Sequence, residues 1–105
     1  MTLRNIEWPE QRIDEFCRRW NIRSLSLFGS VLRDDFRPDS DVDVLFTYDD
    51  EASITGFDLV DMEDELSRIL GRKVDLVSRR SIEESRNWIR RANILQSAQI
   101  VYEAR

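Results

Sequence analysis

Gly29-Ser30 is followed, after ten residues, by Asp41-Val42-Asp43. A Gly-Ser pair at a strand-to-helix junction lets the backbone approach a phosphate closely, and the amides that open the next helix supply donors. Side chains two apart on a strand share a face, so Asp41 and Asp43 can offer two hard oxygen ligands together while Val42 and Val44 point into the core. Taken singly, each piece is ordinary: Gly-Ser as a turn, Asp-x-Asp as the solvated side of a strand or as a cap within Pro38-Asp39-Ser40-Asp41. A further acid, Asp75, interrupts the run Lys73-Val74-Asp75-Leu76-Val77, which would otherwise read as fully buried. Three carboxylates on neighbouring strands repel, raise one another's pKa values and oppose folding unless a cation such as Mg²⁺ neutralises them. The combination points to metal-dependent handling of a nucleotide phosphate.

The elements that must position these groups follow from period and punctuation. Ile13, Phe16, Cys17 and Trp20 recur at helical spacing, so residues 9–20 are expected to form an amphipathic helix opened by Pro9. Residues 24–28 read as a strand feeding the Gly29-Ser30 turn, Ser30 to Arg33 as a short helix, and 41–48 as a second strand. Leu59, Met62, Leu66, Ile69 and Leu70 define a helical face over 57–70, closed by Gly71. Residues 73–78 form the third strand. Ser81-Ile82-Glu83-Glu84 fits a capping box for a helix running to about Gln96, with Trp88, Ile89 and Ala92 inward, and Ile100 to Tyr102 fits an edge strand. Strands alternating with helices predict an α/β fold, a small sheet covered by helices with the site along one exposed edge.

Composition is consistent with a small globular domain spanning 1–105. Hydrophobic content of 41% with ten aromatic residues is enough to build a core, and the chain has no apolar stretch near the roughly 20 residues of a membrane span. Acids and arginines stand where a signal peptide would be apolar, so cytoplasm is the expected compartment. With no histidine and a single cysteine, Cys17, neither a zinc site nor a histidine-based triad can be assembled, and Cys17 is assigned to the core. Charge is uneven. Residues 24–78 carry five basic and fourteen acidic side chains, whereas 79–105 carry six basic and three acidic. A balance of −9 around the acids disfavours direct nucleic-acid binding, which needs an uncompensated basic face. The cluster Arg79, Arg80, Arg86, Arg90 and Arg91 fits either a solvated helix face or a partner or phosphate surface, and is left unassigned.

Leu27-Phe28-Gly29-Ser30, Arg33-Asp34, Arg37-Pro38-Asp39-Ser40-Asp41-Val42-Asp43-Val44-Leu45 and Leu70-Gly71-Arg72-Lys73-Val74-Asp75-Leu76-Val77 together resemble the minimal nucleotidyltransferases of the DNA polymerase beta superfamily. The resemblance runs from about Ile22 to Tyr102 and shows no departure at the three acids. It implies a nucleotidyltransferase fold with a small mixed sheet. It also implies that Asp41, Asp43 and Asp75 are catalytic and hold two Mg²⁺ ions, with Asp75 nearest the acceptor hydroxyl as its base. Gly29 and Ser30 would hold the triphosphate. Arg33 and Arg37 flank the loop; each could stabilise phosphate charge or be a solvated loop arginine.

Larger relatives place the acceptor with a second domain, for which these 105 residues are expected to leave no room. Minimal nucleotidyltransferases pair with a small HEPN-domain ribonuclease toxin, so the resemblance implies an antitoxin that transfers AMP from ATP to a toxin tyrosine. Two alternatives remain open: a nucleotide-binding or steric antitoxin that acts by complex formation alone, and transfer to a small molecule such as an aminoglycoside. Base specificity is encoded by no local motif.

Overall fold

The computed structural model describes residues 2–3 (backbone only), 6–34, 36–37, 39–48 and 54–104. Pro38, assigned above to the loop before the acids, lies outside the described residues. Short strands β1 (Thr2–Leu3) and β2 (Ile6–Glu7) pair antiparallel, a ladder that no sequence pattern announced. Helix α1 (Glu10–Arg19) follows Pro9, which stands at the cap position with the helix beginning one residue later. Ile13, Phe16 and Cys17 form its buried stripe, as their spacing predicts. Burial, and then the charge of Asp14, pushes the Cys17 thiol up to about 12. Asn21, a residue that tolerates left-handed backbone, turns the chain at φ 57° into β3 (Ile22–Phe28), two residues longer than expected.

A single 3-10 turn (Gly29–Leu32) succeeds β3, and β4 (Val42–Tyr48) returns antiparallel to it. Helix α2 (Gly56–Leu70) is opened by a capping box in which Thr55 accepts from Asp58 N–H and Asp58 accepts from Thr55 N–H. Gly71, at φ 66°, closes it in the left-handed conformation that the sequence predicts. Strand β5 (Val74–Ser78) then pairs parallel to β4, and β6 (Gln99–Glu103) lies antiparallel on the other side of β3. The order β5-β4-β3-β6 makes a mixed four-stranded sheet with β5 and β6 at its edges.

Side-chain alternation assigns the two faces of the sheet different tasks. Val42, Val44 and Phe46 of β4, with Val74 and Leu76 of β5, join α1, α2 and Trp8 in the main core. The opposite face carries Asp43, Leu45, Asp75 and Val77. Here Phe28 and Leu45 pack with Ile82 and Ile94 in a second, smaller cluster. The outward N–H groups of β5 are capped by α2: Val74 donates to Ser67 Oγ at 3.0 Å and Leu76 to Glu63 Oε2 at 2.9 Å. Covering the edge in this way fixes β5 to α2 and leaves those amides satisfied.

The segment after β5 differs from the expected continuous helix. Two helices form instead, α3 (Arg79–Glu83) and α4 (Trp88–Ser97). Ser78, not Ser81, caps α3 by accepting from Ser81 N–H, and Glu83 and Glu84 pair with Arg79 and Arg80 rather than forming a box. Asn87 restarts the helix by accepting from Arg90 N–H at 3.1 Å. The break resets the helical phase, so Trp88 and Ile89 are 66% and 56% exposed and Ala92 is half-buried; Ile82 and Ile94 are the inward residues. No helix among the described residues is long and apolar enough to cross a membrane.

Candidate active site

The parallel register of β4 and β5 places Asp43 directly opposite Asp75, on the face covered by α3 and α4. Phe28 pairs with Asp43 across β3 and β4, so the chain leaves β3 beside this carboxylate. The next residue, Gly29, sits at φ +76°, and a β-carbon there would stand 2.3 Å from Asp43 Oδ2. Only glycine permits both that backbone conformation and that approach. Asp43 and Asp75 from the sheet, Gly29 and Arg33 from the turn, and α4 on the far side enclose a cleft of about 560 Å³.

Electrostatics mark Asp43 as the strained member. Burial, then the charges of Asp75 and Asp41, push its carboxyl up to about 6, against the opposing pull of Arg33 and Arg90. The carboxylates are thus close enough to repel and are not fully neutralised by the protein, which is the electrostatic setting a bound cation relieves.

The structure brings Gly29, Arg33, Asp43 and Asp75 together in the cleft and leaves the other expected residues outside it. Asp41 is exposed, with its Oδ2 3.9 Å from Lys73 Nζ. In this arrangement no three acidic or cysteine side chains among the described residues are gathered closely enough to hold an ion. Ser30, half-buried in the 3-10 turn, accepts from Arg33 N–H through its carbonyl at 2.9 Å. Arg37 is exposed, its N–H donating to Ser40 Oγ and its carbonyl accepting from Arg72. Sequence reasoning missed the α4 wall, where Asn87, Ile89, Arg90, Asn93, Ile94 and Ser97 line the cleft. The missed signal is Asn87, a capping residue three before Arg90, which sets the phase of that helix.

A family model for the nucleotidyltransferase domain matches residues 10–101. The chain belongs to the nucleotidyltransferase domain family. Over 68 residues it is 35% identical to the protein adenylyltransferase MntA of Thermococcus cleftensis, a match covering 65% of this chain and 67% of that one. Matches to the curated relatives span about two thirds of their length. A solved structure assigned as a minimal nucleotidyltransferase superposes with TM-score 0.63 at 29% identity, covering 86% of this chain and 88% of that one. The crystal structure of a toxin-antitoxin complex with AMP-PNP superposes with TM-score 0.69 at 16% identity, covering 93% and 76%, and shares the fold. In this nucleotidyltransferase the mixed sheet and its helices are therefore those of the family, as the resemblance implies.

Proposed function

We propose that this chain, as a one-domain nucleotidyltransferase of the cytoplasm, is a Mg²⁺-dependent protein adenylyltransferase. In this reading it acts as an antitoxin, moving AMP from ATP to a tyrosine hydroxyl of a cognate HEPN-domain ribonuclease toxin. The observation that carries the reading is Asp43 in register with Asp75 at the floor of a cleft, pressed against a glycine that leaves room for nothing larger. Support comes from the relative named as a protein adenylyltransferase. It comes also from a fold shared with the complex of a tri-AMPylated Shewanella oneidensis HEPN toxin and its MNT antitoxin.

The donor set fits Mg²⁺: carboxylate oxygens are the hard ligands the ion prefers, and Asp43, its pKa raised by burial and then by the charges of Asp75 and Asp41, stands where a cation would relieve the repulsion. Asp43, Asp75 and Asp41, once turned from Lys73, would hold two ions. When bound, the metal polarises the α-phosphate and lowers the pKa of the acceptor hydroxyl. The Gly29 and Ser30 turn places its backbone against the phosphates, with Arg33 beside it. Asp75 takes the phenolic proton as the tyrosine oxygen bonds to the α-phosphorus, while the bond from that phosphorus to the bridging oxygen breaks and pyrophosphate leaves. The acidic balance of residues 24–78 turns nucleic acid away from the same surface.

The test is the intact mass of the co-expressed partner after incubation with this chain, ATP and Mg²⁺, beside an Asp43→Asn control. A metal-dependent gain of one or more AMP units, absent in the control, is expected. A stable complex with no gain in mass would replace this reading with neutralisation by binding alone.

A further inference from the structure

We propose that the polyphosphate of the nucleotide is held from two sides, with Arg90 of α4 as the counter-charge opposite the Gly29 turn and Asn93 as a neutral donor beside it. This inference rests on the nucleotidyltransferase reading above and assigns the site a wall that lies outside the family's Gly-Ser and Asp-x-Asp motifs.

Position carries the first step. Arg90 and Asn93 are one helical turn apart and share the face of α4 that lines the cleft. Ile94, the next residue, is buried on Phe28 and Leu45 and holds that face to the sheet. The helix is fixed at its start as well. Asn87 accepts from Arg90 N–H, and the Arg91 guanidinium donates to the carbonyls of Glu83 and Ser85 at 3.4 and 3.2 Å. Arg91 is thereby committed to closing α3, which leaves Arg90 as the guanidinium that α4 presents to the cleft.

Charge carries the second step. A polyanion entering beside Asp41, Asp43 and Asp75 needs more positive charge than a metal neutralising those acids would leave over. Arg33 and Arg90 are the two arginines that line the cleft among the described residues, one from each wall. Arg37 lies outside the cleft. Ser97, on the same face, donates its proton to the Asn93 carbonyl at 2.6 Å. Its oxygen therefore offers lone pairs, which suit a hydroxyl or amino group and not a phosphate.

Binding of ATP and of inorganic tripolyphosphate, each with Mg²⁺, is measured calorimetrically on the full chain and on Arg90→Ala, Arg90→Lys, Asn93→Ala and Arg86→Ala. Arg90→Ala is expected to weaken both ligands by the same factor, about ten-fold or more, from loss of a charge-assisted contact. Arg90→Lys recovers part of it, Asn93→Ala weakens both by a smaller common factor, and Arg86→Ala, outside the cleft, stays within about two-fold of the native chain. Unchanged binding by Arg90→Ala overturns the inference and leaves the adenylyltransferase reading standing. Weakened ATP with unchanged tripolyphosphate also overturns it, since Arg90 would then touch the nucleoside. A native chain that binds neither ligand overturns both readings. Arg90 is exposed, so its variants are expected to fold, and circular dichroism checks that they do.

Discussion

Gly29 and Asp43 occupy complementary space: the glycine has no β-carbon where the carboxylate has its Oδ2, 2.3 Å from the position such a carbon would take. Gly29→Ala therefore forces either the turn or the carboxylate to move, and adds left-handed strain of about 1 kcal/mol. The expected outcome is loss of AMP transfer by at least about a hundred-fold, with a lowered Tm; displacing a reacting group by an ångström is enough for the first effect. Steady-state transfer rates and a thermal melt check both.

Asp43→Asn separates stability from activity. The native carboxyl is raised from its usual 3.8 to about 6, so between those values the folded chain keeps a proton that the unfolded chain has lost. Its contribution to stability therefore falls as pH rises through that window and is fully lost above about 6. The variant, which does not titrate there, is expected to melt higher than the native chain at pH 7, with the gap closing below about pH 4. Transfer is abolished throughout. Melts of both proteins from pH 4 to 7.5 test the sign, and added Mg²⁺ should narrow the gap at pH 7.

Asp41 predicts the contrary pattern. Its contact with Lys73 joins two exposed side chains, so Asp41→Asn and Lys73→Ala should each change stability by less than about 0.5 kcal/mol. Asp41→Asn is expected to remove transfer as completely as Asp43→Asn. Lys73→Ala should lower the Mg²⁺ concentration at half-maximal rate, because it releases a ligand from its competitor. An unchanged metal dependence would mean that Lys73 does not compete.

Glu63 lies on α2, away from the cleft, yet it caps the Leu76 amide one residue beyond Asp75. Glu63→Ala leaves that donor without its partner and is expected to cost about 1–3 kcal/mol. Glu63→Gln, which keeps an accepting oxygen, should recover most of it. Denaturant melts of the pair distinguish a lost hydrogen bond from a lost charge.

How far the sequence foretold this molecule depends on whether the deciding force was local. The left-handed end of α2 at Gly71, the stripe of Ile13, Phe16 and Cys17, and the alternation of Val42 and Val44 with the acids are set by neighbours a few residues away. All were legible. The register that sets Asp43 against Asp75 is a long-range pairing, and only the motif spacing hinted at it. The α3–α4 break was misread because Glu83 and Glu84 suit a capping box as well as they suit ion pairs with Arg79 and Arg80. What decided between these was Ser78 at the end of β5, together with Arg91 bonding back across the break. With the helical phase lost, Asn93 was lost to the site, Arg90 stayed unassigned, and Trp88 and Ile89 were placed in the core instead of being largely exposed, Ile89 at the cleft.

The unequal division of apolar packing by the sheet has a kinetic consequence. Among the described residues, α4 is tied down by one buried side chain, Ile94, in a cluster with Phe28, Leu45 and Ile82, while the sheet's other face is secured by α1, α2 and Trp8. The free energy of opening is therefore far smaller on the side that holds the cleft. Backbone amides of α4 should exchange with solvent deuterium by breathing motions that leave those of Val44 and Leu66 protected. Parting that small greasy patch would widen the cleft, while the scaffold that keeps the two aspartates in register stays closed.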